Sequence, residues 1–169
     1  MIIVSPEEPQ DAAAIETLLD NAFGADRRCK ISYRYRADVA PLGQLCLVAR
    51  NAGGLVGTIR AWPVAIGASP CRAMLLGPVA IEAAARGQGI GGRLIGTQLD
   101  LAATEGYGFA VLVGDEAYYG RFGFRAAARW GIAMPGERPE RVLGRALGSS
   151  MIPAGALQCC PEAPRSALA

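Results

Sequence analysis

The hydrophobic positions of this chain follow two spacings, and the change between them marks the elements. Short or alternating apolar runs over residues 44–50, 55–66 and 71–81 predict three strands that are joined by glycine-containing turns. Apolar residues then recur at helical spacing over 90–102, and a short run over 109–113 predicts a strand parallel to the third. Three antiparallel strands before one strand–helix–strand crossover predict an α+β fold, with a mixed, mostly antiparallel central sheet flanked by helices.

The ends of the chain carry weaker patterns. Residues 1–5 predict a first strand, and a helix that begins at Asp11 is expected to end at Gly24. In the stretch that follows, the basic residues between Arg27 and Arg36 alternate with aromatic ones. This pattern fits a contact with an acidic acceptor or with nucleic acid, but a solvated helix or loop is the simpler interpretation.

The C-terminal third predicts two closing strands, over residues 124–130 and 141–147. We expect residues 1–155 to form a single domain, because the chain is short enough for one hydrophobic core. Residues 156–169 continue a segment rich in Pro, Ala and Ser, and we expect them to form a partly frayed tail.

The segment with the clearest chemistry is the glycine-rich bend before the long helix. Four of the six residues from Gly87 to Gly92 are glycines, and they lie between a predicted strand and a predicted helix. The first amide groups of a helix have no partner inside it, and the helix dipole places positive charge at the same end. With Arg86 at its rim, the bend is a candidate cradle for a pyrophosphate.

Other interpretations of this bend remain. It is not a P-loop, because no Lys-Ser/Thr pair follows the glycines. Gly87, Gly89 and Gly92 satisfy the dinucleotide pattern G-x-G-x-x-G, and the acidic Asp115 follows the next apolar run. However, residues 82–86 separate the strand from the glycines, and no further βαβ units follow, so the dinucleotide hypothesis is the weaker one. A tight turn that binds nothing is the third interpretation.

Two motifs together resemble the GNAT superfamily of N-acetyltransferases. Residues 86–91 match its R/Q-x-x-G-x-G/A motif for acetyl-coenzyme A, and residues 111–124 resemble the segment that carries its catalytic tyrosine. The second segment is similar to that of a branch of predicted acetyltransferases with the pattern G-D-x-x-Y-Y-x-R-F-G-F. The motifs lie in the family's order, and together they are much stronger than either one alone.

The resemblance implies the acyl-CoA N-acyltransferase fold, in which the third strand and the strand after the long helix splay apart. Acetyl-CoA would be the co-substrate, and its pantetheine arm would pair with the open edge of the third strand. The cofactor-binding residues implied in this way are Val79, Ala80, Ile81, Arg86, Gly87, Gln88, Gly89, Ile90, Gly91 and Gly92.

The implied reaction is acetyl transfer to a primary amine by direct attack, with Tyr119 as the general acid to the coenzyme A thiolate. A tyrosine phenol, with a pKa of about 10, can donate to a thiolate whose conjugate acid has a pKa near ~8.5 if it is oriented and partly dry. Spacing alone does not separate Tyr119 from Tyr118, and both could simply pack beside Phe122. Glu82, Asp115 or a water chain could serve as the base, and a coenzyme A-binding sensor without transferase activity is the alternative function.

The composition of the chain excludes or disfavours several other functions and partners. The chain has no histidine, which excludes a Ser-His-Asp triad and every histidine-bearing metal site, and we expect no metal. A net charge of +2 does not favour nucleic acid, and no apolar run reaches the ~20 residues that span a bilayer. Five cysteines without a C-x-x-C pair indicate free thiols and a cytoplasmic protein. The acceptor is expected to be a small-molecule or peptide amine. The sequence does not distinguish a homodimer from a monomer.

Overall fold

A computed structural model describes residues 1–148 and 151–160 of the chain. Within these residues the strands are β1 (Ile3–Pro6), β2 (Leu47–Asn51), β3 (Gly54–Ile66), β4 (Ala73–Ile81), β5 (Phe109–Val113), β6 (Arg125–Ala126), β7 (Ile132–Ala133), β8 (Val142–Ala146) and β9 (Gly155–Cys159). The α-helices are α1 (Ala12–Phe23), α2 (Ile31–Arg34), α3 (Ile90–Thr104) and α4 (Glu116–Tyr119). None of the helices in these ranges is both long enough and apolar enough to cross a bilayer.

The strands form one mixed sheet in the order β1-β2-β3-β4-β5-β8-β6, and β9 pairs with β3 and with β7. Neighbours along this order are antiparallel except β4 and β5, which are the parallel pair joined by the crossover through α3. The predicted fold class, α+β with a mixed, mostly antiparallel central sheet and one parallel strand–helix–strand crossover, is therefore confirmed.

Helices cover both faces of the sheet. Because alternate residues of a strand point to opposite sides, one strand contacts helices on both faces. In β2, Leu47 and Ala49 belong to the core cluster that contains the apolar face of α3, whereas Val48 belongs to the cluster that contains α1. Ala80 of β4 also packs with α1. Helices α1 and α3 consequently lie on opposite faces of the sheet.

The parallel pair separates halfway along β4. Its hydrogen-bonded register with β5 covers only Ala73–Leu75 against Phe109–Val111. Beyond Leu75 the backbone passes through Gly77 at a φ of 105°, and the register between β3 and β4 shifts at the same place. In the described part of the chain no strand pairs with the β5 side of Val79–Ile81, so this edge of β4 is open to a ligand.

Two of the predicted C-terminal elements differ from the structure. The strand expected over 124–130 is only Arg125–Ala126, since residues 127–130 turn into a 3-10 helix that packs Trp130 edge-on against Phe109, with 5.4 Å between ring centroids. The tail boundary expected at residue 156 lies inside β9, whose pairing with β3 orders the chain through Cys159. The rest of the expected tail, 161–169, lies outside the described residues, and the division into domains stays a prediction.

The basic segment after α1 is not simply a solvated loop, as the sequence had suggested. Arg27 is only 2% exposed and makes ion pairs with Glu16 and, at 2.7 Å, with Asp20, both on α1. It also donates a hydrogen bond of 2.7 Å to the hydroxyl of Tyr33. These contacts hold the segment against α1 because a buried guanidinium needs several oxygen partners at once.

Candidate active site

The open edge of β4 forms one wall of a cavity of about 570 Å³. The bend before α3 forms its floor, and the tyrosines of α4 and the end of α1 close its sides. Of the ten residues expected to bind the cofactor, all line this cavity except Gln88, whose side chain is exposed to solvent. We call this space the cofactor cleft.

The bend presents free backbone amides to the cofactor cleft. Gly87 and Gly89 have φ angles of 79° and 73°, which glycine adopts without the penalty that a side chain would bring. Helix α3 begins at Ile90 with no side-chain cap, and its first internal bond runs from the amide of Arg93 to the carbonyl of Gly89. The preceding amides are therefore available for an anion, and a Cβ at Gly87 or Gly89 would meet only open space.

Two arginines lie at the rim of the cofactor cleft, and no acidic residue of the described chain lines it. Arg86 is exposed and holds its Nε 3.4 Å from the carbonyl oxygen of Ile81. Arg121 stacks over the ring of Tyr118 at 4.2 Å and over that of Phe122 at 4.8 Å. Arg121 was not among the residues predicted to bind the cofactor, although it lies within the tyrosine-bearing motif of residues 111–124.

A second cavity, of about 370 Å³, lies on the other side of the gap between β4 and β5, and we call it the acceptor cleft. Its walls come from the segment 23–36, from residues 76–79 of β4, from the end of β5 and from the loop before β8. Phe23, Val79 and Tyr119 line both clefts. A group held in the cofactor cleft can therefore meet a group held in the acceptor cleft at these side chains.

The two neighbouring tyrosines occupy different positions. Tyr118 is 41% exposed and lines only the cofactor cleft, where its hydroxyl lies 3.1 Å from the place of a Cβ on Gly91. Tyr119 is half-buried, contacts the ring of Phe124 edge-on and lines both clefts. Burial, and then the neighbouring Tyr118, raises the pKa of Tyr119 to about 12. The phenol of Tyr119 is therefore fully protonated at neutral pH.

Neither of the carboxylates considered from the sequence lies in the acceptor cleft. Glu82 is exposed in a separate depression beside α1. Asp115 precedes α4 but makes no side-chain cap; its carboxylate is 74% exposed and 3.3 Å from Arg141. Among the described acidic residues only Glu137 lines the acceptor cleft, from a loop that no motif or periodicity had singled out.

The described residues contain no cluster of three or more His, Cys, Asp or Glu side chains that could hold a metal ion. The groups that line the two clefts include backbone amides, arginines, Lys30, tyrosines and one carboxylate. This set of groups suits a ligand with phosphate oxygens on one side and a small polar ligand on the other.

Comparison with known proteins agrees with this geometry. Residues 43–126 match the family model described as an acetyltransferase (GNAT) domain. The chain is 33% identical over 129 residues to a protein of Escherichia coli (strain K12) named uncharacterized N-acetyltransferase YhbS, and the match covers 75% of each chain. This chain therefore belongs to the GNAT family of acetyltransferases.

Two solved structures show the same fold. The YhbS structure from Escherichia coli, in complex with CoA, superposes with a TM-score of 0.80 at 28% identity, over 92% of this chain and 88% of that one. A GNAT family acetyltransferase from Brucella melitensis, in complex with acetyl-CoA, superposes with a TM-score of 0.70 at 32% identity, over 93% and 94% of the two chains. The expected acyl-CoA N-acyltransferase fold is confirmed.

Proposed function

We propose that this protein transfers the acetyl group of acetyl-CoA to a primary amine by direct attack, without a covalent enzyme intermediate. The observation that carries the proposal is the meeting of the two clefts at Val79 and Tyr119. One cleft has the amides and arginines that suit a pyrophosphate, and the other has room for a small acceptor. The complexes of the two structural relatives with CoA and acetyl-CoA support the choice of cofactor.

In this proposal the pyrophosphate lies on the amides of residues 90–92, and Arg86 and Arg121 neutralise its charge. The pantetheine arm runs along the open edge of Val79–Ile81 as an added strand would. The acetyl carbonyl then lies in the gap between β4 and β5, where a backbone N–H of β4 can polarise it. The side chain of Gln88 makes no contact with the cofactor, and Gln88 serves only as part of the bend.

The chemistry requires that the amine attack the thioester carbonyl in its neutral form. The new C–N bond forms, the C–S bond breaks, and the electron pair of that bond leaves on the coenzyme A sulfur. Tyr119 donates to this sulfur as negative charge develops on it. We prefer Tyr119 to Tyr118 because Tyr119 lines both clefts whereas Tyr118 lines only the cofactor cleft.

The raised pKa of Tyr119, about 12, affects this role in two ways. It keeps the phenol protonated throughout the working pH range, so the donor is always present. It also lies above the value of about 8.5 that is typical of a thiol, so complete transfer to the thiolate is uphill. The main contribution of Tyr119 is therefore a hydrogen bond to the sulfur in the transition state, and solvent supplies the proton that remains on the product thiol.

The proton of the incoming ammonium group, and the second proton that the nitrogen loses once the C–N bond has formed, go in succession to Glu137 or, through a water chain, to solvent. Glu137 takes the place of the two bases considered from the sequence, because Glu82 lies outside the acceptor cleft and Asp115 is paired with Arg141. Both small-molecule amines and peptide amines fit the proposed reaction as acceptors. The free thiols of Cys29, Cys46, Cys71 and Cys159 support a cytoplasmic location.

The test is the release of coenzyme A thiol from acetyl-CoA across a panel of primary amines, measured for the wild type, Tyr119→Phe and Tyr118→Phe. We expect amine-dependent release by the wild type, a large loss in Tyr119→Phe and a small effect in Tyr118→Phe. Tight acetyl-CoA binding with no release for any amine would indicate a coenzyme A sensor instead. Absence of acetyl-CoA binding would refute the proposal.

A further inference from the structure

The acceptor cleft contains a guanidinium without a carboxylate partner. Arg36 follows α2, lines the cleft and has its Nη2 3.9 Å from the place of a Cβ on Gly77 in β4. Its Cζ lies 4.5 Å from the ring centroid of Tyr33 and 5.1 Å from that of Trp62. Its Nε is buried and has no hydrogen-bond partner. The two rings thus hold the guanidinium in place by cation–π contacts, and the cleft that Arg36 lines gives a ligand access to it.

The other buried arginines of this region are neutralised. Arg27 is paired with Glu16 and Asp20, and Arg60 is paired with Glu7 and Glu16. In the described parts of the chain, no carboxylate lies within ion-pair distance of Arg36.

Burial lowers the pKa of Arg36 to about 10, and Arg27 and Arg60 repel its charge. Arg36 is nevertheless charged at neutral pH. A buried cation without a counter-ion is costly, and an anion bound at its edge would offset that cost.

The remaining charges of the acceptor cleft favour the same ligand. Lys30 and Arg36 line it without an ion pair among the described residues, against the single carboxylate of Glu137, whereas Arg27 and Arg141 also line it but are paired with carboxylates outside the cleft. Amines that carry several positive charges, such as polyamines and aminoglycosides, would be repelled by this surface. A ligand with one amine and one anionic group would place opposite charges against Glu137 and Arg36.

We propose that the acetyl acceptor is a small molecule that carries a carboxylate in addition to its primary amine, and that Arg36 binds this carboxylate. The substrate class rests on the proposed acetyl transfer. A volume of about 370 Å³ is at the small end of ligand cavities, which favours a free metabolite over an extended peptide. A carboxylate is favoured because its two oxygens match the planar fork of a guanidinium whose Nε has no hydrogen-bond partner.

The experiment compares ω-amino acids of increasing chain length with their uncharged amides, by the ratio of kcat/KM for acid over amide. We expect the wild type to prefer the acid at the length that spans the cleft, and Arg36→Met to lower the ratio about 10- to 100-fold. Arg36→Lys, which keeps the charge but lacks the fork, should give an intermediate ratio. Arg34→Met is the matched control, since Arg34 lies on α2, is exposed and does not line the cleft.

Calorimetry with acetyl-CoA on each variant separates the two proposals. Equal use of acid and amide, or an unchanged ratio in Arg36→Met, overturns the substrate class and leaves acetyl transfer standing. The same holds if no acid of the series is acetylated while acetyl-CoA still binds, or if an aminoalkyl phosphonate is preferred to the carboxylate. If the wild type does not bind acetyl-CoA, both proposals fall. If Arg36→Met does not fold, the ratio in Arg36→Lys decides.

Discussion

The ring of Tyr119 lies directly against the backbone of Gly114, the residue that follows β5. A Cβ added to Gly114 would lie 2.4 Å from Cε2 of Tyr119, a distance that real Cβ contacts do not show. The absence of a side chain at Gly114 therefore fixes where the phenol can lie between the two clefts. The glycine of the tyrosine-bearing motif has a steric function, although it has no chemistry of its own.

We predict that Gly114→Ala displaces Tyr119 and lowers kcat about 10- to 100-fold, with little change in acetyl-CoA affinity. Steady-state kinetics and calorimetry on the same preparation check the two parts. The matched control is Gly96→Ala in α3, where a Cβ meets nothing within 4 Å and should add up to about 1 kcal/mol of stability. Wild-type kcat in Gly114→Ala would show that the position of Tyr119 does not matter.

Removal of the phenol hydroxyl tests Tyr119 itself. Tyr119→Phe should lower kcat about 100-fold, the lower end of the contribution of a positioned acid, while KM for acetyl-CoA stays close to that of the wild type. Tyr118→Phe should change kcat only a few-fold, because this ring lines the cofactor cleft alone. The reverse ranking of the two variants would assign the donor to Tyr118.

The pH dependence of the reaction follows from the pKa of Tyr119. Because this pKa is raised to about 12, the phenol stays protonated, and its ionisation removes no activity between neutral pH and about pH 10. Over this range kcat/KM should rise steadily as a larger fraction of a lysine-like amine, with a pKa of about 10.4, loses its proton. A falling limb with a midpoint near the ordinary tyrosine value of about 10, absent in Tyr119→Phe, would contradict this account.

The two arginines at the rim of the cofactor cleft should contribute separately to cofactor affinity. Arg86→Gln and Arg121→Gln are each expected to weaken acetyl-CoA binding about 10-fold, and the difference from the wild type should shrink as salt is added. Arg93→Gln is the control, because Arg93 lies in the first turn of α3 but lines neither cleft and contacts the carbonyl of Ile2. Calorimetric titrations at two salt concentrations provide the measurement.

The buried ion pairs of Arg27 should contribute to stability. Arg27→Met removes the ion-pair partner of Asp20 and one of the three partners of Glu16, which keeps Arg28 and Arg60. Because both carboxylates are also partly exposed, we expect a loss of only about 2 kcal/mol. Arg28→Met, whose side chain is 70% exposed, should change the free energy of unfolding by less than about 0.5 kcal/mol. Urea denaturation compares them, and equal effects would show that the burial of Arg27 is not important.

The cofactor side of the site was predictable because it is local. The bend is one continuous segment, and glycine spacing, a helical period and Arg86 together specify a turn that presents amides. The core of α3 and the order of β2 to β5 followed from periodicity for the same reason. The strand predicted over 124–130 was too long, since alanines at 126–128 carry no strand preference and the packing of Trp130 decides the backbone there.

The acceptor side was not predictable because its residues come together only in the folded chain. Arg36 and Glu137 belong to segments about a hundred residues apart, and neither lies in a periodic element. The same holds for Arg27, whose burial depends on two carboxylates that α1 presents. Sequence showed that these residues were basic or acidic, whereas only the fold shows which charges are paired.

The most direct test of the whole account is a titration with acetyl-CoA followed by the backbone amide NMR signals of residues 87–92. If these amides hold the pyrophosphate, the signals of Ile90, Gly91 and Gly92 should show the largest changes and reach saturation together, with one site per chain. No saturable change at these amides would contradict the account, since the cofactor, the role of Tyr119 and the acceptor class all depend on that contact.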